Sequence, residues 1–317
     1  IIGNILFRLD ATKNIGIGHL MRCFSLSEEL VKEGNSCFFL SNIDSDEIKN
    51  KIVNSNIELK KITTSPEDKN DIKNLLNFSE KNDISWVVTD HYKIDDNYIK
   101  NIKKAGLKVL SIDDTSQIYY SSDIVVNQNI GAEKLKFRSN KKTKFLLGPK
   151  YVMLRDELLK REDRIIRKKV KKILVTLGGS TSNELNYKVI KSLDSILKGY
   201  DFEIIFVLGP LDEKSEKFES NIRKNFTLNI RFVHSPKNMA DLYLNSDIAI
   251  SAGGSSCYEL AYFGIPNLII TIADNQLEVA KEVHNKNIGI YLGKKEDFSY
   301  GAFKDHKLIS VAGVIIL

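Results

Sequence analysis

The chain has 317 residues, 42% of them hydrophobic and 28% charged, which is enough for about two globular domains with cores of their own. The net charge of +6 is mild, and the one dense basic run, Lys160 to Lys172, is broken by Glu162 and Asp163; it reads as a solvated helix face or linker, and no nucleic-acid partner is expected. Three scattered cysteines, Cys23, Cys37 and Cys257, exclude a disulfide framework and a zinc site and read as small core residues in a reducing compartment.

From the amino end, Ile1-Ile2-Gly3-Asn4 lacks the basic region of a signal peptide and runs straight into a strand pattern at Ile5–Asp10, so a cytoplasmic protein is expected. His19–Glu33 places Leu20, Cys23, Phe24, Leu30 and Val31 at helical spacing, with Gly34 as the stop. Strands are predicted at Ser36–Ser41, Trp86–Asp90, Lys108–Asp113 and Asp123–Asn127, separated by polar helical stretches. These runs are almost continuously apolar, as strands buried on both faces of a parallel sheet should be.

The pattern then restarts. Lys171–Leu177 is followed by a helix from about Asn183 to Leu197, and strands recur at Glu203–Leu208, Ile230–His234, Asp247–Ser251 and Asn267–Ile272, with a helix at Cys257–Phe263. Strand–helix alternation in two series predicts an α/β protein of two Rossmann-like domains, residues 1–160 and 161–296, whose carboxyl-end edges face a cleft. Residues 297–317 form an atypical tail; its apolar end, Val311 to Leu317, is far short of the roughly 20 residues that span a bilayer, and no membrane insertion is expected.

Ligands of open α/β sheets bind outside the carboxyl ends of strands, so the loops that follow strands are the candidates. The first is Asp10 to Gly18, leading into His19. Gly16 and Gly18 let the backbone approach a ligand. His19 falls at the start of a helix, where the dipole disfavours the imidazolium and leaves a neutral ring able to act as a base. The loop alone fits a structural turn with a surface histidine equally well. The second is Ser251-Ala252-Gly253-Gly254-Ser255-Ser256: small residues, two hydroxyls and a helix amino end make an anion cradle, with Glu259 one turn further along. The third, Ala273-Asp274-Asn275-Gln276, opens another helix beside it and doubles as a cap. Thr89-Asp90-His91-Tyr92 could project Tyr92 toward a ligand or pack it, and Gly178 to Ser182 could touch phosphate or merely turn the chain. No P-loop lysine, nucleophile elbow or HExxH pattern occurs. The acidic pairs at Asp44-Ser45-Asp46 and Asp113-Asp114 do not compel a metal, and neither a metal nor a cofactor is expected. The mild positive excess suits an anionic small molecule such as a nucleotide diphosphate.

Taken in order, Phe7-Arg8-x-Asp10, Ile15-Gly16-x-Gly18-His19-x-x-Arg22-Cys23, Asp90-His91-Tyr92, Leu147-Gly148-x-x-Tyr151-x-x-Leu154-Arg155, Ser251 to Glu259 and Ala273-Asp274-Asn275-Gln276 resemble the UDP-sugar hydrolases of pseudaminic acid biosynthesis, across about residues 5–293. The resemblance implies a GT-B-like fold and an enzyme that hydrolyses UDP-2,4-diacetamido-2,4,6-trideoxy-β-L-altropyranose without a metal, by C–O cleavage with inversion; a monomer is the simplest expectation. It implies that His19 activates the water, that Tyr92 and Asn275 lie close to the substrate, that Gly253, Gly254, Ser255 and Ser256 hold the diphosphate, and that Glu259 holds the ribose. Gly16, Gly18, Arg22 and Gln276 are expected to line the substrate, and Asp10 to orient His19 or the water. After about Gly293 the sequence departs from the family, where a final helix returning to the first domain is expected. Two other readings stay open: a glycosyltransferase of similar fold that passes the sugar to an acceptor, and a non-catalytic nucleotide-sugar binder.

Overall fold

The computed structural model describes residues 3–159, 164, 166–197, 199–212 and 216–295. The predicted tail 297–317 lies outside them, as does much of the amino half of the basic run 160–172. The chain divides into two compact units, Ile1–Asp156 and Glu157–Leu317.

Unit 1 opens with β1 (Asn4–Ala11), α1 (Gly18–Lys32), β2 (Ser36–Ile43), α2 (Asp46–Asn54), β3 (Glu58–Lys61), α3 (Lys69–Lys81), β4 (Ile84–Asp90), α4 (Asp96–Lys104) and β5 (Lys108–Ile112). It continues through β6 (Tyr119–Tyr120), β7 (Ile124–Asn127), β8 (Arg138–Ser139) and β9 (Lys144–Leu147). Seven strands form one sheet in the order β3-β2-β1-β4-β5-β7-β9, every neighbouring pair parallel, while β6 and β8 make a separate two-stranded ladder. The chain winds one way from β1 to β3 and the other way from β4 onward, so the switch point lies between the carboxyl ends of β1 and β4.

Side chains alternate across that sheet. Ile5, Phe7 and Leu9 of β1 pack with Leu20, Cys23 and Phe24 of α1, while Leu6 faces the opposite cluster with Leu75 of α3 and Ile99 and Ile102 of α4. α1 stops at Gly34, whose φ of 86° is the left-handed conformation a helix terminus favours. β3, Glu-Leu-Lys-Lys, has no apolar run and is invisible to a hydrophobic-pattern reading; charge is what a sheet edge uses against unwanted pairing.

α5 (Asp156–Leu159) begins at the boundary. Unit 2 then runs β10 (Lys172–Thr176), α6 (Asn183–Leu197), β11 (Glu203–Leu208), α7 (Glu216–Asn225), β12 (Asn229–His234), α8 (Met239–Leu244), β13 (Ile248–Ala252), α9 (Ser256–Tyr262), β14 (Asn267–Thr271), α10 (Leu277–Asn285) and β15 (Gly289–Lys294). Its six strands form a second all-parallel sheet, β12-β11-β10-β13-β14-β15, with its own switch point between β10 and β13. All five residues of β13 and of β14 are buried, the signature of strands covered on both faces. β15, which contains Gly289 and Gly293 and is only half-buried, is a further edge strand that the periodicity misses.

Candidate active site

The first loop singled out in the sequence ends at the switch point of the first sheet. β1 and β4 are neighbours, with Leu9 opposite Asp90, so the loop leaving β1 returns over the end of β4. Gly16 has φ +81° and open space where a Cβ would stand; its requirement for glycine is conformational, not steric. The helix begins at Gly18, which makes His19 its second residue, with Ile17 as the cap.

His19 is buried, and its Nδ1 lies 2.5 Å from Oδ1 of Asp90, the last residue of β4. A carboxylate there can only accept, so Nδ1 carries the proton and Nε2 is left with the lone pair. Arg22 Nη2 also lies 3.1 Å from Nδ1, but it is 2.6 Å from Asp90 Oδ1 and donates there. Burial alone would push the Asp90 carboxyl up; Arg22 and His19 beside it hold it well below the usual carboxylate range. An imidazole held this way can accept a proton at Nε2 while the carboxylate fixes its tautomer. The half-exposed Tyr92 packs its ring edge-on to His19, centroids 4.6 Å apart.

Two of the expected site residues have protein partners of their own. Asp10 is not the carboxylate on His19. It accepts from Arg8 Nη1 at 2.7 Å and from the Asn42 amide at 2.8 Å, and it faces His91 Nε2 at 3.4 Å. The Lys93 amide donates to His91 Nδ1, which assigns the ring proton to Nε2, toward Asp10. Burial would raise the Asp10 carboxyl, but His91 and Arg8 bring it below its ordinary value. Arg22, expected at the substrate, has its guanidinium occupied by protein. Nε donates to Asp90 Oδ2 at 2.6 Å, Nη2 to Asp90 Oδ1 at 2.6 Å, and Nη1 to Asp114 Oδ1 at 2.7 Å and Oδ2 at 2.9 Å. Burial would lower its pKa; Asp114 and Asp90 instead raise it well above the usual value.

Behind β1 lies a second buried ion network. Arg8, fully buried, donates from Nε and Nη2 to both oxygens of Asp71, from Nη1 to Asp10 and the Leu9 carbonyl, and from Nη2 to the Thr64 carbonyl. All five guanidinium hydrogens are used. Asp71 also accepts from Tyr98 Oη at 2.6 Å and Thr64 Oγ1 at 2.9 Å. The three thiols are not nucleophiles: burial pushes Cys37 and Cys257 up to about 12 and Cys23 well above its ordinary value. Among the described residues no group of three or more His, Cys, Asp or Glu side chains could hold a metal ion, and no helix is long and apolar enough to cross a membrane.

In unit 2 the Gly-Gly-Ser-Ser loop follows β13, beside that sheet's switch point. A Cβ on Gly253 would stand 3.0 Å from both Gln276 Cβ and Gln276 O and 3.4 Å from Thr271 Cγ2, whereas one on Gly254 would meet only Gln276 Nε2 at 3.9 Å. The structure therefore brings the second and third loops together. Gln276 is anchored by the Ile272 amide, which donates to its Oε1 at 3.0 Å; Asn275 is exposed. Ser255 is the cap residue of α9 and makes no side-chain cap bond. Glu259 is buried and accepts from Tyr243 Oη at 2.5 Å. The Gly178 to Ser182 loop is braced by Asp212, which accepts from the Thr181 amide, from Thr181 Oγ1 at 3.0 Å and from the Gly209 amide at 2.6 Å.

The sequence reading places Asp90 in a motif and Asp114 in an acidic pair but gives neither a role at His19. A carboxylate at the end of the strand next to β1 was the available signal for Asp90. Asp114 is marked only as half of an acidic pair after a strand; it reaches the site because β5 lies beside β4 in the sheet.

Residues 173–299 match the Glycosyltransferase family 28 C-terminal domain. The chain is 32% identical over 283 residues to an uncharacterized protein of Methanocaldococcus jannaschii, across 85% of this chain and 55% of that one. It is 26% identical over 192 residues to the UDP-2,4-diacetamido-2,4,6-trideoxy-β-L-altropyranose hydrolase of Campylobacter jejuni, across 60% of this chain and 65% of that one. The chain spans about half the length of the first curated relatives it matches. Among solved structures it is similar to MurG of Acinetobacter baumannii, with a TM-score of 0.69 at 12% identity, covering 99% of this chain and 91% of that one. The fold is that of the GT-B glycosyltransferases, α/β with two Rossmann-like units.

Proposed function

We infer that the protein is an enzyme of nucleotide-sugar chemistry, and specifically a hydrolase that releases UDP from UDP-2,4-diacetamido-2,4,6-trideoxy-β-L-altropyranose. One observation carries the reading: His19, at the switch point of the first sheet, has its Nδ1 held by Asp90 and its Nε2 lone pair left to take a proton. The order of the motifs and the similarity to a hydrolase of that name support the substrate.

In this reading a water gives its proton to His19 Nε2 as its oxygen forms a bond to the anomeric carbon. The bond from that carbon to the diphosphate oxygen breaks, and its electron pair leaves with UDP. Attack opposite the leaving oxygen inverts the centre. UDP is a good leaving group once its charge is held, so the acid side asks little; positioning one water beside one base is the demanding part. The loops 253–256 and 274–276 of unit 2, with Glu259, are assigned to the nucleotide: small residues and amide donors suit a diphosphate, and a carboxylate suits ribose hydroxyls.

A second reading is a glycosyltransferase, favoured by the family 28 match and by the fold. The two separate in one experiment. The purified protein is incubated with the UDP-sugar alone, and the anomeric proton is followed by NMR. Free sugar of inverted configuration supports the hydrolase. Turnover only after an acceptor is added replaces it with a transferase, and UDP binding without turnover replaces it with a binder. A His19→Ala variant that hydrolyses at the parental rate removes the base assignment.

A further inference from the structure

Arg22 is the most heavily committed side chain beside His19, and water activation by itself does not call for it. Its guanidinium bridges two carboxylates from different strands, gripping Asp90 at both oxygens and Asp114 at both oxygens. Asp114 in turn accepts from Asn129 Nδ2 at 3.0 Å and from Tyr92 Oη at 3.3 Å, and the Tyr92 ring lies against His19. One cation thus ties together α1, the end of β4 and the segments after β4, β5 and β7. A bidentate grip on Asp90 fixes the carboxylate plane, and with it the direction of the hydrogen bond to Nδ1.

We propose that Arg22 and Asp114 are positioning residues for His19, forming a carboxylate–guanidinium–carboxylate bridge that aims Asp90 at Nδ1 and holds its summed charge beside the imidazole. The proposal rests on His19 being the base of the proposed hydrolysis. Directly against His19 lie Asp90 from β4, Arg22 from α1 and the Tyr92 ring from the segment after β4; the Cys23 thiol of α1 reaches it through Asp90, and Asp114 from the segment after β5 through Arg22 and Tyr92. Two carboxylates against one guanidinium leave a single net negative charge. That charge favours the imidazolium formed when His19 accepts the proton of water. The arginine alone opposes it, and Asp114 offsets the arginine.

Removing either charged partner should therefore shift His19 in opposite directions, a pattern that loss of packing would not produce. The test uses the full chain with isotopically labelled histidine. His19 is titrated by long-range proton–nitrogen correlation, its signal assigned by comparison with His19→Gln. Arg22→Gln should raise the His19 pKa by roughly 1–3 units and Asp114→Asn should lower it by roughly half a unit to one unit, as neighbouring charges do at this range. Arg22→Lys restores the charge without the fork; it should return the pKa to within about half a unit of the parent yet lower kcat several-fold with KM little changed. Asp114→Asn preserves shape, so the test does not depend on Arg22→Gln folding well. Shifts of the same sign, or no shift in either variant, overturn the proposal. Opposite shifts in a protein whose turnover does not need His19 support the bridge while defeating the base reading. Turnover that needs His19, with an unmoved titration, does the reverse.

Discussion

Replacing Asp90 by asparagine isolates what a carboxylate does beside His19. Four donors converge on its two oxygens: His19 Nδ1 and Arg22 Nη2 on Oδ1, and Arg22 Nε with the weak Cys23 thiol donor on Oδ2. An amide has one oxygen, so its NH2 must face a donor whichever way it is turned. Turned toward Arg22 Nε, it leaves a buried donor unpaired at about 1–3 kcal/mol. Turned toward His19, it needs a lone pair at Nδ1; the ring proton moves to Nε2, and the base offers the water an N–H. In a Ser-His-Asp triad the same exchange lowers kcat by about 10,000-fold through the wrong tautomer, equivalent to about 5.5 kcal/mol of barrier at about 1.4 kcal/mol per decade. Here kcat should fall by about 1,000- to 10,000-fold, with KM nearly constant because the change touches the base and not the nucleotide. Initial rates of free-sugar formation by NMR, at parental circular dichroism, provide the measurement. An Asp90→Asn protein that keeps kcat within about tenfold of the parent would refute the orienting role.

Arg8→Met leaves Asp71 and Asp10 buried without their cation, a loss of about 3–5 kcal/mol for one partner of a buried pair, or about 10 °C in the melting temperature of a unit this size; calorimetry checks it, and a change below about 2 °C contradicts the network's role. Gly253→Ala must displace Gln276, backbone oxygen included, at about 1–3 kcal/mol, whereas Gly254→Ala meets only a flexible side-chain tip; comparable urea midpoints for the two would be the wrong result. Asp90 and Asp10 both have folded pKa values below their unfolded value of about 3.9. The stability they contribute is complete above about pH 4 and is lost as pH falls through the folded values. The urea midpoint should hold from pH 7 to 5 and drop below about pH 4; an unchanged midpoint at pH 3 counts against both assignments. Hydrolysis should persist in EDTA, and activity lost there and restored by magnesium would show a metal requirement.

The α/β class was legible because each central strand is an apolar run too short for a helix and too continuous for a half-exposed sheet. Helix limits were legible where local chemistry fixes them: α6 starts and stops where the pattern says, and Gly34 ends α1. The edge strands β3 and β15 were not, because an edge strand carries charge or glycine in place of an apolar run. His19, with its glycine loop, was visible from its place between a strand and a helix, and so was the Gly253 loop, since strand ends and helix starts are local properties.

The partners of His19 were not visible. Asp10, nearest in the chain, was the natural choice, yet its side chain belongs to Arg8 and His91. Residues 19, 22, 90 and 114 become neighbours only when β4 pairs with β1 and β5 pairs with β4. Hydrogen bonding and ion pairing act over about 3 Å, a length that sheet order sets and that spacing along the chain does not contain. Which element ends carry reactive side chains is written along the chain. The tertiary structure decided that Arg22 spends its charge on two carboxylates, and that one of them, Asp90, orients the imidazole.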